Sequence, residues 1–465
     1  MFNYTTYLST FTHRYGTNAM RTLFSDVMTR KLWRKVWVAL AKTQSKYGLV
    51  TLEELADLEK SAESIDIEAA LKIESEIHHD VMAEIKTYAS QCLIGGGKIH
   101  LGATSMDVRD NAEVLQQKMA LELVKCQLQA ILLQLKSLIE LHQETVCMGF
   151  THIQPAEPIT LGYRFANYAQ DFLMDLDEVK RLLTSIRGKG IKGAVGTGAS
   201  YHQLLEDKGV SLLEFEKEVM DNLSLAVFPV STQVYPRKQD FLILSVLASI
   251  CQSAAKFALD LRLLQSPVFG EMAEPFGKKQ VGSSAMAFKR NPIVSERICS
   301  LARLVPSYAQ VAWQDAAQNI LERTLDDSAN RRTIIPESYL ATSEVLRLLG
   351  DKILPGLVVN DVAITRNFNT YGIFAGTEPL LMALVEKGEN RQEGHEVIRE
   401  LSLEAWKSIQ EGKENPLLQL LEDHSMVKKH FTPSEVCRLT DAKKHVGNVK
   451  EKCGKILEEI SSSVI

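Results

Sequence analysis

Two runs of apolar residues at helical spacing constrain this chain more than any other feature. Leu121, Val124, Leu128, Ile131, Leu135 and Leu138 recur three and four residues apart over several turns. Within residues 238–265, Leu244, Leu247, Cys251, Ala254, Ala258 and Leu261 repeat the pattern, with small side chains that let neighbouring helices approach closely. A third helix is expected to open at Asn291-Pro292, with asparagine as cap and proline in the first turn, and to run beyond Gln310. Strand-like alternation is scarce, so the expected fold class is all-α, a central bundle of long helices flanked by shorter helical units. Residues 20–90 read as several modest helices, LIGGGKIHLGATS (93–105) as a glycine-rich break, and Pro355-Gly356 as the last boundary. The expected domains are an N-terminal helical domain 1–110, a long-helix domain 111–357 and a C-terminal helical domain 358–465. Helices whose apolar stripes are wider than one seam need further partners, which predicts an oligomer.

Composition narrows the function classes. With 465 residues, 45% of them hydrophobic, the chain can bury a substantial core. A net charge of -5 and a pI near 6.2 offer no electrostatic footprint for nucleic acid or acidic membranes, and neither is expected as a partner. A local basic pocket for a small anion stays compatible with that balance. The seven cysteines stand singly, without a C-x-x-C pair, and read as reduced thiols of a cytoplasmic protein. The first residues lack a signal-peptide pattern, and no segment is expected to approach a membrane span.

Three local motifs fail on context. GKGIKG (188–193) matches G-x-G-x-x-G, but a helical segment precedes it where a dinucleotide site needs a strand. GGGK (95–98) lacks the rest of a phosphate loop. His78-His79-Asp80 places adjacent side chains about a hundred degrees apart on a helix, which argues against a metal.

Four stretches remain: HHDV (78–81), GATS (102–105), GFTHIQPAEP (149–158) and VGSSAMAFKRNP (281–292). Each sets hydroxyls, a histidine or a basic group near Gly or Pro, where backbone amides are expected to be free. Singly, each also reads as an ordinary turn. Together, and in this order, they resemble the fumarase/aspartase superfamily of lyases, whose signature is GSSxMPxKxNP. Within it the chain is similar to the adenylosuccinate lyases, as HHDVMAE, IHLGATS, GFTHIQPA, SERICSLAR and ERTLDDSANRR also match. Two positions depart from the family pattern: Ala287 replaces the signature's proline, and His78 stands where arginine is usual.

The resemblance implies β-elimination of fumarate from adenylosuccinate, giving AMP, and from the related succinylated carboxamide SAICAR, without cofactor or metal. It implies Ser283 as general base, His152 as general acid, Glu296 as the carboxylate partner of that histidine, and Lys289 as a cation beside the base. Lys289 and Asn291, with the hydroxyls of Thr104 and Ser105, suit the charge that builds on a carboxylate when the neighbouring carbon loses its proton. His78, His79, Asp80 and Gln233 match substrate-binding positions. Arg14 and Tyr15, with Arg297, Arg323, Ser328 and Arg332, match the nucleotide side, where a guanidinium fork suits phosphate. The family assembles its active sites between subunits of a homotetramer, which agrees with the stripes. On the residues alone, Ser283 could merely turn its loop, Glu296 could be a first-turn glutamate, and one of Arg331 and Arg332 could serve only an ion pair. Argininosuccinate lyase and a non-catalytic scaffold are the alternatives.

Overall fold

The structure is a computed structural model that describes residues 5–464. It divides into two compact units. The first gathers the chain as far as Leu128 with Asp175–Ala254 and Cys299–Arg347. The second gathers Gln129–Met174, Ala255–Ile298 and the chain from Leu348 onward.

Helices dominate both, as expected of an all-α chain. The two apolar stripes fall on the helices Ser105–His142 and Lys238–Leu264. All six stripe residues of Lys238–Leu264 are at most 1% exposed. On Ser105–His142, Leu121 through Leu135 are buried, whereas Leu138 is half-buried and Ile139 takes the core position. The helix Lys238–Leu264 is long and apolar enough to cross a membrane by length and composition, contrary to the expectation that no segment approaches this. Its apolar window is 56% buried within the protein, so the apolarity serves the core.

The expected third long helix is interrupted. It forms as Ile293–Leu301, and a second helix, Leu304–Ala317, follows after two residues. Pro306 falls in the first turn of that second helix, where a missing N–H leaves no bond unmade. In the first unit, the helices Asp26–Lys46, Ile67–Ile77, Asp80–Gln91, Ser105–His142 and Ser328–Arg347 all contribute walls to one cavity.

Among the described residues, three short two-stranded sheets interrupt the helices. The longest pairs β1 (Val146–Thr151) with β2 (Gln154–Thr160) in an antiparallel hairpin, with a bulge between Met148 and Phe150. GFTHIQPAEP is therefore a hairpin tip, and the strand pairing takes up amides expected to be free.

In the first unit, buried ions lock the long helices together. Arg237 donates to Asp327 at 2.7 Å and to Asp110 at 3.2 Å, and Arg331 pairs with Asp240 at 2.9 Å and with Glu113 at 3.0 Å. Burial disfavours the charge on Arg331, but Asp240, Glu113 and Tyr235 outweigh it and hold the guanidinium protonated. The GKGIKG loop is tied down in the same way. Lys189 pairs with Asp107 and Lys192 with Glu216, all four buried, so this loop packs its cations inward. Cys92, Cys147, Cys251, Cys299 and Cys453 are buried and free, while Cys126 and Cys437 are exposed and free.

Candidate active site

The candidate residues divide between the two units. In the first, Asp80, Arg323, Ser328 and Arg332 line one cavity of about 310 Å³, together with Trp33, Arg109 and Glu113. Asp80 opens the helix Asp80–Gln91, and His79 caps it, its Nδ1 accepting the Met82 N–H at 3.3 Å. His78 ends the preceding helix in the left-handed conformation, at φ 54°, and is exposed. Asp80 Oδ2 accepts Arg332 Nη2 at 2.9 Å and faces Arg109 Nη1 at 3.3 Å. Burial pushes the Asp80 carboxyl up, but Arg109, the Val81 N–H and Arg332 outweigh it and hold it below the usual carboxylate range.

The adjacent arginines take different places. Arg331 is buried in the ion network, and the Arg332 side chain is 57% exposed and turned to Asp80. Arg323 donates to Asp327 at 2.8 Å. Thr104 sits at the start of Ser105–His142, where its N–H donates to Asp107 at 3.0 Å and its carbonyl accepts the Asp107 N–H. Ser105 is the first residue of that helix. Gln233 donates its side-chain amide to the Ala194 carbonyl at 3.0 Å, and its backbone N–H to the Glu322 carbonyl. Arg14 and Tyr15 follow the short helix Thr10–His13. Arg14 is exposed, and Tyr15 meets Phe11 edge to face. Arg14, Tyr15, His78, His79, Thr104, Ser105 and Gln233 stand outside the lining of the 310 Å³ cavity.

In the second unit, the signature loop is built around close backbone approaches. A Cβ at Gly282 would lie 2.0 Å from the Lys289 carbonyl oxygen, so only glycine lets the two ends of the loop meet. Asn291 donates its side-chain amide to the Gly282 carbonyl at 2.9 Å and closes the loop. Ser283 Oγ accepts two backbone N–H groups, from Met286 at 3.1 Å and from Ala285 at 3.3 Å. Lys289 is exposed on the same loop, as are Met286 and Phe288.

Two expectations for this region are corrected. Asn291 does not cap the following helix, and the first amides of that helix are not free. Glu274, only 3% exposed, takes the N–H groups of Val294 and Ser295 at 3.1 and 3.0 Å, and the Ser295 hydroxyl at 3.0 Å. A carboxylate from outside the helix thus satisfies the N-terminus electrostatically. Glu296 and Arg297 lie exposed on the first turns, and Glu296 faces Arg262 at 4.0 Å.

His152 stands exposed at the hairpin tip. With Ile153 it forms the two-residue turn, at φ 55° and 62°, the left-handed pair that matches the twist of a tight hairpin. Among the described residues no ion pair joins His152 to Glu296. No group of three or more His, Cys, Asp or Glu side chains is placed to hold a metal ion among the described residues. Sequence reasoning missed Arg109, Glu274 and the role of Asp107. The T-x-x-D spacing signals Asp107, and Arg109 falls one turn beyond Ser105; nothing in the spacing signals Glu274.

The family model described as Lyase matches residues 13–306, and that described as Adenylosuccinate lyase C-terminus matches residues 374–455. An adenylosuccinate lyase of Schistosoma mansoni is 38% identical, over 91% of this chain and 89% of its own. One of Schizosaccharomyces pombe is 37% identical, over 97% and 94%. The structure of a 3-carboxy-cis,cis-muconate lactonizing enzyme from Pseudomonas putida superposes with a TM-score of 0.85 at 22% identity, covering 98% of this chain and 99% of that one. Fold and family match together define a lyase with the all-helical fold of the fumarate lyases. More narrowly, the chain belongs to the adenylosuccinate lyase family.

Proposed function

We propose that this protein cleaves adenylosuccinate to AMP and fumarate, and SAICAR to AICAR and fumarate, as a carbon–nitrogen lyase. The observation that carries this reading is near-full-length similarity to adenylosuccinate lyases. The arginine-lined cavity around Asp80, Arg323, Ser328 and Arg332 supports it, since such a cavity suits a phosphorylated, dicarboxylate-bearing substrate.

The chemistry follows from the groups present. Ser283 takes the proton from the succinyl carbon beside a carboxylate, and that carboxylate gains a second negative charge. The two N–H donors on Ser283 Oγ stabilise its alkoxide, which a lone serine would lack. Lys289, Asn291, Thr104 and Ser105 stabilise the substrate's developing charge. The C–N bond then breaks, its electron pair leaves with the purine amine, and His152 as imidazolium protonates that nitrogen. Glu296 is the carboxylate that orients His152 once subunits assemble, since within the chain it faces Arg262 instead. His78, His79 and Gln233 contact the substrate, Asp80 orients the groups around it, and Arg14, Tyr15, Arg297, Arg323, Ser328 and Arg332 take the nucleotide side. No cofactor enters this scheme.

The active form in this reading is a cytoplasmic homotetramer whose sites combine residues of several subunits, with the three-domain division 1–110, 111–357 and 358–465. Large apolar side chains exposed along the long helices support an assembly: Met119, Leu133 and Leu141 on one helix, Leu242, Leu259 and Leu263 on another. Purified protein incubated with adenylosuccinate, with AMP and fumarate measured beside argininosuccinate as control, tests the function. Fumarate from argininosuccinate alone would transfer the chain to the other lyase, and fumarate from neither would leave the scaffold reading.

A further inference from the structure

Arg109 lies on the helix Ser105–His142, one turn beyond Ser105, with its side chain 24% exposed and its guanidinium 6.0 Å from the Trp33 ring centre. It reaches the same oxygen of Asp80 that accepts Arg332. The other arginines of this cavity each already pair with a carboxylate other than Asp80. Arg30 is held by Glu84, Arg323 by Asp327, and Arg331 by Asp240 and Glu113. Arg332 is the most exposed member of the Asp80 pair, and an anion entering the cavity can engage it fully only if Asp80 releases it. A carboxylate stripped of its only cation in a half-buried site would resist that release. Arg109 removes this obstacle, because Asp80 keeps one guanidinium throughout the exchange.

We propose that Arg109 is a further positioning residue of this site: it retains Asp80 at the start of its helix while Arg332 exchanges that carboxylate for the phosphate of the nucleotide substrate. The proposal rests on the functional reading above and assigns Arg109 a role in binding, not in proton transfer.

The test compares wild type, Arg109→Ala, Arg109→Lys, Arg332→Ala and the double alanine variant. Steady-state kinetics use adenylosuccinate, and calorimetry measures AMP binding. In Arg109→Ala, KM and the Kd for AMP are each expected to rise about tenfold, the scale of one charged hydrogen bond, with kcat within about twofold. Arg109→Lys should recover part of the loss, since a point charge can still hold Asp80. In the Arg332→Ala background, removing Arg109 should change KM by less than about twofold, because the exchange no longer exists. An unchanged Kd for AMP in Arg109→Ala overturns the proposal. So does an equal effect of Arg109→Ala with and without Arg332, which would mark a merely structural role. If wild type releases no fumarate, the functional reading fails, and the AMP measurement still decides. A tenfold difference between wild type and Arg109→Ala then retains the proposal, and absence of AMP binding by wild type overturns it.

Discussion

A serine hydroxyl ionises far above neutral pH, so its service as a base depends on what stabilises the alkoxide. At Ser283 the neighbouring N–H groups of Ala285 and Met286 point at the oxygen, and Lys289 stands on the same loop. Ser283→Ala should lower kcat at least about 100-fold, with the melting temperature unchanged because the residue lies in a surface loop; fumarate absorbance and thermal melts check both. Asp327 shows a different use of charge. Burial pushes its carboxyl up, but Arg237, Arg331 and Arg323 outweigh it and hold it below the ordinary value of 3.8. Its stabilising contribution is therefore full above pH 3.8 and fades as pH falls through the lower folded-state value. Asp327→Asn should cost about 3 kcal/mol at pH 7, because Arg323 and the buried Arg237 each lose a directly paired carboxylate. Urea unfolding between pH 7 and pH 3 should show that gap narrowing only below pH 3.8. The signature loop was legible at this scale because it is local, whereas the T-x-x-D start of the long helix, equally local, was passed over. The division of labour between Arg331 and Arg332 was not legible, because two adjacent arginines differ only in what folds against them.

Elements are held here by contacts that cross from one segment to another. The helix Ile293–Leu301 carries Glu296 and Arg297, and its first amides are held by Glu274, about twenty residues upstream. Glu274→Ala should destabilise the protein by about 2 kcal/mol, the upper end for a helix cap, and speed hydrogen exchange at Val294 and Ser295. Glu274→Gln should retain part of the cap and lose the charge–dipole share. Unchanged exchange at those two amides in the alanine variant would show that the cap does not hold the helix. The hairpin bearing His152 makes a second case. Ile153 is a β-branched residue at φ 62°, 61% exposed, where glycine is the favoured occupant. Ile153→Gly should stabilise the hairpin by about 1 kcal/mol, read as a higher unfolding midpoint. The long apolar stripes made the helices legible. The hairpin stayed hidden because one tight turn inside a helical chain leaves no periodic signal.

For the whole molecule, the apolar side chains left exposed on the long helices are the feature that calls for partners. Sedimentation should give a tetramer, and mixing inactive Ser283→Ala with inactive His152→Ala protein should restore part of the activity if sites combine residues of different subunits. A monomer that turns over adenylosuccinate, or no recovery on mixing despite subunit exchange, would sink the shared-site reading.

The amino-acid sequence by itself determined the all-helical class, the family and the identity of most candidate site residues. Periodic burial and short motifs are properties of neighbouring residues, and spacing records them. Only the tertiary structure decided that Arg331 is buried while Arg332 faces a cavity, that Glu274 caps the helix after the signature loop, and that Arg109 shares Asp80 with Arg332. Each of those is a charge finding its partner across a long stretch of chain. The physical need for a partner is written in the residue type, and the choice of partner is made by packing alone.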